Sequence, residues 1–355
     1  MIALLSLGLL LQAGSAQSFD ELSKRAVDAR QTSRAGEALQ LFRQALVLNP
    51  SWGNGWWNTG SLLYEKSDYA GARDAFRKLT TLDAKAVPAF VMLGLSEFKL
   101  KEYDAALRDL DTARTLGLPN GHPLAQSALT CLALLLNKNG MHDEAALLLL
   151  SMPLQAEKPP GLLEAIGLTG LRIPKMPEDL TSEERDLAIR VGTALSSSST
   201  ESLGKMEALV RAYPERQNLH YLYGMVLLHA DSSQALTEFE KELKINSASV
   251  PSLLAIAHER ERRRELDSAR SYAEKAVQAG PGNFEAHALL GRILVGQDHV
   301  AEGLGELERA RALEPGSPQV YFALASAYAK LGRSTEAREA RAEFLRLQKL
   351  AEEEK

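Results

Sequence analysis

The sequence is poor in the residues from which most catalytic and metal-binding frameworks are built. Of its 355 residues one is cysteine and seven are histidine. A single Cys131 excludes an intrachain disulfide framework and any metal cluster held on several thiolates. It lies in the apolar stretch 129–136, where a free thiol reads as a small buried hydrophobe. An excess of positive charge is also missing. The formal net charge of −5 argues against a nucleic-acid binder, which would normally carry a basic stripe. Long apolar runs are missing too, and the one at residues 2–11 is too short to span a membrane comfortably. With 45% hydrophobic and 25% charged residues, the chain has the composition of a soluble, folded protein.

Catalytic signatures are absent one by one. His258-Glu259 would begin a zinc-protease motif, but Arg262 stands where its second histidine is required. Gly204-Lys205 lacks both the upstream glycine of a phosphate loop, where Ser199 stands, and the following hydroxyl, where Met206 stands. Gly303 and Gly305 are spaced like part of a dinucleotide motif, but they fall inside a helical pattern rather than after a strand. His220, His258 and His287 sit at repeated helical positions, as packing or surface residues would. No enzyme activity, catalytic residue, cofactor or metal is expected. The charge run 259–265 (Glu-Arg-Glu-Arg-Arg-Arg-Glu) has two readings: a solvated face with i,i+4 pairs, or a basic clamp for an acidic partner.

The apolar run 2–11 is followed by Ala13-Gly14-Ser15-Ala16-Gln17, with small residues three before and just before a cut after Ala16. This is the pattern of a secretory signal peptide at residues 1–16, and it predicts an exported protein, periplasmic or secreted. No Lys or Arg precedes the run, so a start lying upstream or a weak signal stays open. No cysteine stands at the cut, which argues against a lipoprotein.

What the sequence does contain is a period. Small residues recur at Ala257, Gly291 and Ala325, and again at Ala269, Gly303 and Ala337, each 34 residues from the last. Pro281 and Pro315 are also 34 apart. A fixed period of this length marks a helix-turn-helix repeat. Numbering one unit 1 to 34 puts the small residues at positions 8 and 20, where the two helices of a hairpin cross closely. Position 27 (Ala276, Ala310, Phe344) faces the next hairpin. Proline at position 32 lacks an N–H and disfavours helix before it, so the second helix stops. Gly332 supplies the left-handed residue that ends a first helix.

These residues resemble the tetratricopeptide repeat (TPR), a family of stacked helical hairpins that usually bind proteins. The most specific local match is Trp56, Gly60, Tyr69, Ala72 and Phe76, repeated as Phe90, Gly94, Tyr103, Ala106 and Ala113. The predicted fold is all-α, a TPR-type α-solenoid of about eight or nine hairpins in two lobes. Residues 17–152 form an N-terminal lobe, 153–181 a Pro-rich linker with one short helix near 161–170, and 182–355 a C-terminal lobe with a capping helix. The Leu-rich hairpin at 124–151 is expected to be deeply packed. Thr181 with Glu184 predicts a capping box that starts a helix running to about Leu195. Gly224 and Ala235 are 11 apart instead of 12, which predicts a tightened turn.

The resemblance implies a concave groove lined by positions 2, 5, 9, 12 and 13 of each first helix. Carried over by register, the groove candidates are Asn54, Trp57, Asn58, Ser61, Tyr64, Val91, Leu95, Phe98, Tyr221, Met225, His258, Arg262, Arg292 and Phe322. The carboxylate clamp of TPR co-chaperones is not matched, since Ser23, Val27, Pro88 and Met92 occupy its places and only Asn58 fits. The function implied is a non-enzymatic scaffold that holds a partner peptide or helix in the groove. The alternative is a structural subunit of a cell-envelope assembly acting through its convex face or by self-association. The expected partner is a protein or peptide, with no nucleic acid and no integral membrane span once the signal is removed.

Overall fold

The computed structural model describes residues 18–118, 124–152 and 158–353. The predicted signal at residues 1–16 lies outside them. Among the described residues there are nineteen α-helices and no strand, and they fall into two compact units. The first takes in the chain to Gly161 together with Pro174–Asp179. The second comprises Leu162–Ile173 and Leu180–Lys355.

In the first unit the helices pair in chain order: α1 (Phe19–Gln31) with α2 (Ala35–Leu48), α3 (Gly53–Glu65) with α4 (Tyr69–Leu82), α5 (Val87–Lys99) with α6 (Tyr103–Thr115), and α7 (Ala125–Lys138) with α8 (His142–Leu150). Position 8 leaves room for the ring at position 24. A Cβ on Gly60 would stand 2.8 Å from the ring of Phe76, which is fully buried. Position 27 is sealed between hairpins, with Ala45 and Ala113 wholly buried. The fourth hairpin is deeply packed through α7, where Leu129, Leu132, Leu134 and Leu135 are buried, but not through α8. In α8 only Ala145 is buried, while Leu147 and Leu150 are 68% and 80% exposed. Nine residues give α8 barely two and a half turns, and apart from α7 no described helix packs substantially against it. The segment Pro174–Asp179 is held on this unit by Glu178, which accepts from the Tyr103 hydroxyl and pairs with Lys101 at 3.3 Å.

In the second unit, α9 (Pro160–Gly170) crosses α10 (Ser182–Leu195) on two reciprocal glycines. A Cβ on Gly167 would fall 1.8 Å from the Ala188 carbonyl oxygen, and one on Gly192 would fall 1.9 Å from that of Leu163. Only hydrogen at both positions lets the backbones touch. The predicted capping box opens α10: Glu184 N donates to Thr181 Oγ1 at 3.2 Å and Thr181 N to Glu184 Oε2 at 3.0 Å. Then follow α11 (Ser199–Ala212), α12 (Leu219–Leu227) with α13 (Ser232–Ile245), α14 (Val250–Arg262) with α15 (Leu266–Ala279), α16 (Phe284–Gly296) with α17 (Val300–Leu313), and α18 (Pro318–Lys330) with α19 (Ser334–Glu353). α12 has nine residues against thirteen in its counterparts α14 and α16: it starts two positions later, behind the left-handed Asn218, and ends two positions earlier, on the side where the residue between Gly224 and Ala235 is missing.

One device ends the first helix of most hairpins. Ser33, Ser67, Lys101, Arg264, Asp298 and Gly332, all at position 15, have φ between 60° and 71°. The next residue then donates back five positions, as in Asp68 N to Leu63 O at 2.9 Å and Arg333 N to Tyr328 O at 2.9 Å. This is a Schellman closure, which satisfies carbonyls the helix leaves open. Gly140 closes α7 and Arg172 closes α9 in the same way.

Candidate partner-binding site

In the first unit the aromatic groove candidates are half-buried against the second helix of their own hairpin. Trp57 meets Phe76 edge-on with ring centroids 5.5 Å apart, Tyr64 meets Tyr69 at 5.2 Å, and Phe98 meets Tyr103 at 5.8 Å. Asn54 is exposed and its carbonyl accepts from Asn58 Nδ2 at 2.8 Å, while Ser61 is half-buried. Burial, then Tyr69 and Cys131, push the Tyr64 hydroxyl up to about 12. Burial likewise pushes the Cys131 thiol up to about 12 against the pull of Lys99, leaving it protonated and unreactive. Val91 and Leu95 do not line a groove. They are 0% and 6% exposed, because α5 is covered by α4, α6 and α7 together.

In the second unit Tyr221 rests on Phe239 with centroids 5.9 Å apart, and Met225 is exposed. The charged candidates are paired within the chain. Arg262 reaches both carboxylate oxygens of Glu259 at 2.7 Å, and Arg263 bridges from Glu259 to Ser232 of the preceding hairpin. Glu259 is buried, and Arg262 first among its neighbours holds it down at about 2. The run 259–265 is thus a solvated face, with Arg262, Arg264 and Glu265 exposed, carrying i,i+3 and i,i+4 pairs onto the buried Glu259, and not a free basic clamp. Arg292 grips Glu261 of the preceding hairpin at 2.9 and 2.7 Å and touches His258 Nδ1 at 3.4 Å, while His258 faces Glu285 at 3.3 Å. Lys330 donates to Asp298 and to the Val295 carbonyl, again one hairpin back. These bonds staple adjacent first helices across their shared face.

Phe322 is different. It is 64% exposed and lies on Phe344 with ring centroids 5.5 Å apart. The two rings, with Val295, Arg292 and Lys330, line an open cleft of about 810 Å³ between α16, α18 and α19. Gln348 and Glu352 close one side of it. The cleft has an apolar floor and polar rim, the arrangement that takes an anchoring side chain. Among the described residues no helix is long and apolar enough to cross a membrane, and no cluster of three His, Cys, Asp or Glu side chains is arranged to hold a metal.

The sequence profile described as tetratricopeptide repeat matches residues 23–87, 91–159, 254–298 and 289–350, well over half of the chain. The chain belongs to the tetratricopeptide repeat family. Similar solved structures include the MamA RS-1 ArsTM double mutant, at 20% identity over 46% of this chain and 92% of that one, with a TM-score of 0.42. MamA 41-end from Desulfovibrio magneticus RS-1 aligns at 20% identity over 45% and 92%, TM-score 0.41. YrrB, titled a TPR protein with an unusual peptide-binding site, aligns at 18% identity over 66% and 90%, TM-score 0.32. Comparison with curated proteins gives no match. As a tetratricopeptide repeat protein the chain is a protein-interaction scaffold, and members of this family are generally not enzymes.

Reading the family register missed Phe344, Gln348 and Glu352, because they lie on a second helix. Two signals mark them in the sequence. Phe344 fills position 27, where Ala310 and Ala276 stand one and two repeats earlier, and Lys349 fills position 32 in place of proline. Nothing stops the helix there, so α19 runs for 20 residues where α15 and α17 have 14.

Proposed function

We propose that the chain holds an extended or helical segment of a protein partner on the face formed by the first helices of the second unit, with an apolar side chain of that partner seated over Phe322. The carrying observation is the exposure of Phe322 at the floor of the cleft, since a phenylalanine this open contributes little to the fold and its burial contributes to binding. Tyr221, Met225, His258, Arg262 and Arg292 extend the same face, and Trp57, Asn58, Tyr64 and Phe98 offer a second one in the first unit. Filling the cleft would bury apolar surface at roughly 25 cal/mol per Å² gross, most of it offset by ordering costs.

The test is affinity capture from the native envelope fraction with wild type, Phe322→Ala and Trp57→Ala/Phe98→Ala side by side. A stoichiometric partner lost from Phe322→Ala and kept by the first-unit double variant is the expected result. A partner retained equally by all three would sink the groove reading and favour the convex face. The sequence pattern at residues 1–16 supports a site of action outside the cytoplasm, and a mature N-terminus at Gln17 is the expected product. An N-terminus at Met1 would overturn that placement.

A further inference from the structure

The helix α19 carries two stripes. Ala337, Ala340 and Phe344 turn towards α18, with Ala340 buried and the other two partly covered. Beside them Arg341, Leu345, Gln348 and Glu352 recur at spacings of four, three and four, which puts them on one face of a helix, and all four are exposed. Leu345 is 57% exposed. With Phe322, Ala325, Ala329 and Phe344, Arg341 and Leu345 line a groove of about 610 Å³ between α18 and α19.

The groove continues an interface the array already uses. The α14–α15 pair seats α16, and the α16–α17 pair seats α18. The α18–α19 pair forms the next such seat, and no described helix lies in it. Because α19 runs past position 32 without a break, its own exposed stripe is also the surface that can fill a seat of this kind.

We propose that this face joins two copies of the chain, with α19 of each packed antiparallel to α19 of the other about a two-fold axis. The stripe is complementary to itself in that arrangement. A two-fold placed between Arg346 and Leu347 sets Arg341 of one copy opposite Glu352 of the other, twice over, with Leu345 opposite Gln348 between them. A two-fold interface needs this pairing of a patch with its own copy. The guanidinium of Arg341 has no ion pair within the chain among the described residues, and neither has Glu352. Gln348 and Glu352 also border the partner cleft, whereas Arg341 and Leu345 lie outside it, so Arg341→Glu and Leu345→Asp are the variants that separate the two readings.

Sedimentation velocity of the full chain over the micromolar range tests the assignment. Wild type is expected to show a monomer–dimer equilibrium and Leu345→Asp a monomer throughout. Arg341→Glu and Glu352→Arg should each weaken the dimer about tenfold, since each sets like charges opposite one another at two places. Combined in one chain they should restore it to within about threefold of wild type, because the reversed pairs match again. A wild type that stays monomeric, a Leu345→Asp chain that dimerises, or a double variant as weak as the single ones would each overturn the proposal. Capture of an unrelated protein by a monomeric wild type would assign the seat to that protein instead and overturn it as well.

Discussion

Trp56 donates through its indole Nε1 to the carbonyl oxygen of Pro50, six residues earlier, at 2.8 Å. His220 and His287 occupy the same repeat position and do the same from Nε2, to Pro214 at 2.9 Å and to Pro281 at 3.0 Å. A carbonyl can only accept, so each Nε2 carries a hydrogen. The ring at position 4 therefore ties the end of one hairpin to the start of the next. The histidines add a second tie, His220 Nδ1 to Glu238 at 2.5 Å and His287 Nδ1 to Glu306 at 2.6 Å, which the tryptophan has no atom to make.

Trp56→Phe should then cost about 1 kcal/mol, the worth of one hydrogen bond whose acceptor can turn to water. His287→Phe removes two bonds at a buried site and should cost about 2–3 kcal/mol. Urea denaturation of the two variants checks the ranking. Equal costs would show that the Glu306 contact adds nothing.

The left-handed residue at position 15 should respond to its side chain. Arg264 holds φ at 64° and Gly332 at 71°. A side chain in that region costs roughly 1–2 kcal/mol, partly offset because glycine loses more freedom on folding. Arg264→Gly is expected to stabilise by about 0.5–1 kcal/mol and Gly332→Ala to destabilise by a similar amount, both read from melting midpoints.

The reciprocal seats of α9 and α10 should tolerate nothing larger than hydrogen. Gly167→Ala and Gly192→Ala would each drive a methyl into a backbone carbonyl, and each should lower stability by about 3 kcal/mol or more. Gly204 lies in α11 with open space around its Cβ direction, so Gly204→Ala should raise stability by about 1 kcal/mol through helix propensity. A harmless Gly167→Ala would mean that the two helices do not touch there.

Two buried carboxylates should give the units opposite responses to pH. Burial first, then the Asp109 carboxyl, raises Glu97 to about 7 against the pull of Arg77. Its folded value lies above the ordinary one, so its contribution is fully present below the usual carboxylate range and is lost as pH rises through about 7. Glu259 is lowered to about 2, by Arg262 first. Its contribution is present above the usual range and is lost as pH falls towards 2. Hydrogen exchange should show α5 loosening on going from mildly acid to alkaline pH and α14 loosening in acid. In Glu97→Gln the first trend should vanish, and its persistence would assign the effect to another group.

The period of 34 residues made the hairpins legible, because positions 8, 20 and 32 are fixed by close contact and by proline, and both leave a mark in residue type. The short helix near 161–170 was visible between its prolines as well. Its docking was not. Gly167 and Gly192 stand outside the repeat register, and a glycine that admits a carbonyl looks in sequence like any other helical glycine. The face at Val91 and Leu95 was misread for a related reason. Register says which side of α5 a residue is on, whereas burial depends on α7 packing beside it. The leucines of α8 misled in the opposite sense, since apolar composition does not guarantee a neighbour to bury it. The staples Arg292–Glu261 and Lys330–Asp298 join residues about one period apart, and charge alone did not distinguish them from free groove residues.

The Schellman closures carry a kinetic consequence. Each closes its helix with a bond spanning five residues, and each hairpin then meets chiefly the one beside it in the chain. Contacts of such short sequence separation need little loop closure before they form. Folding of each unit should therefore begin within one hairpin and spread along the array, and hairpins near the N-terminus can acquire their structure while later ones are still being synthesised.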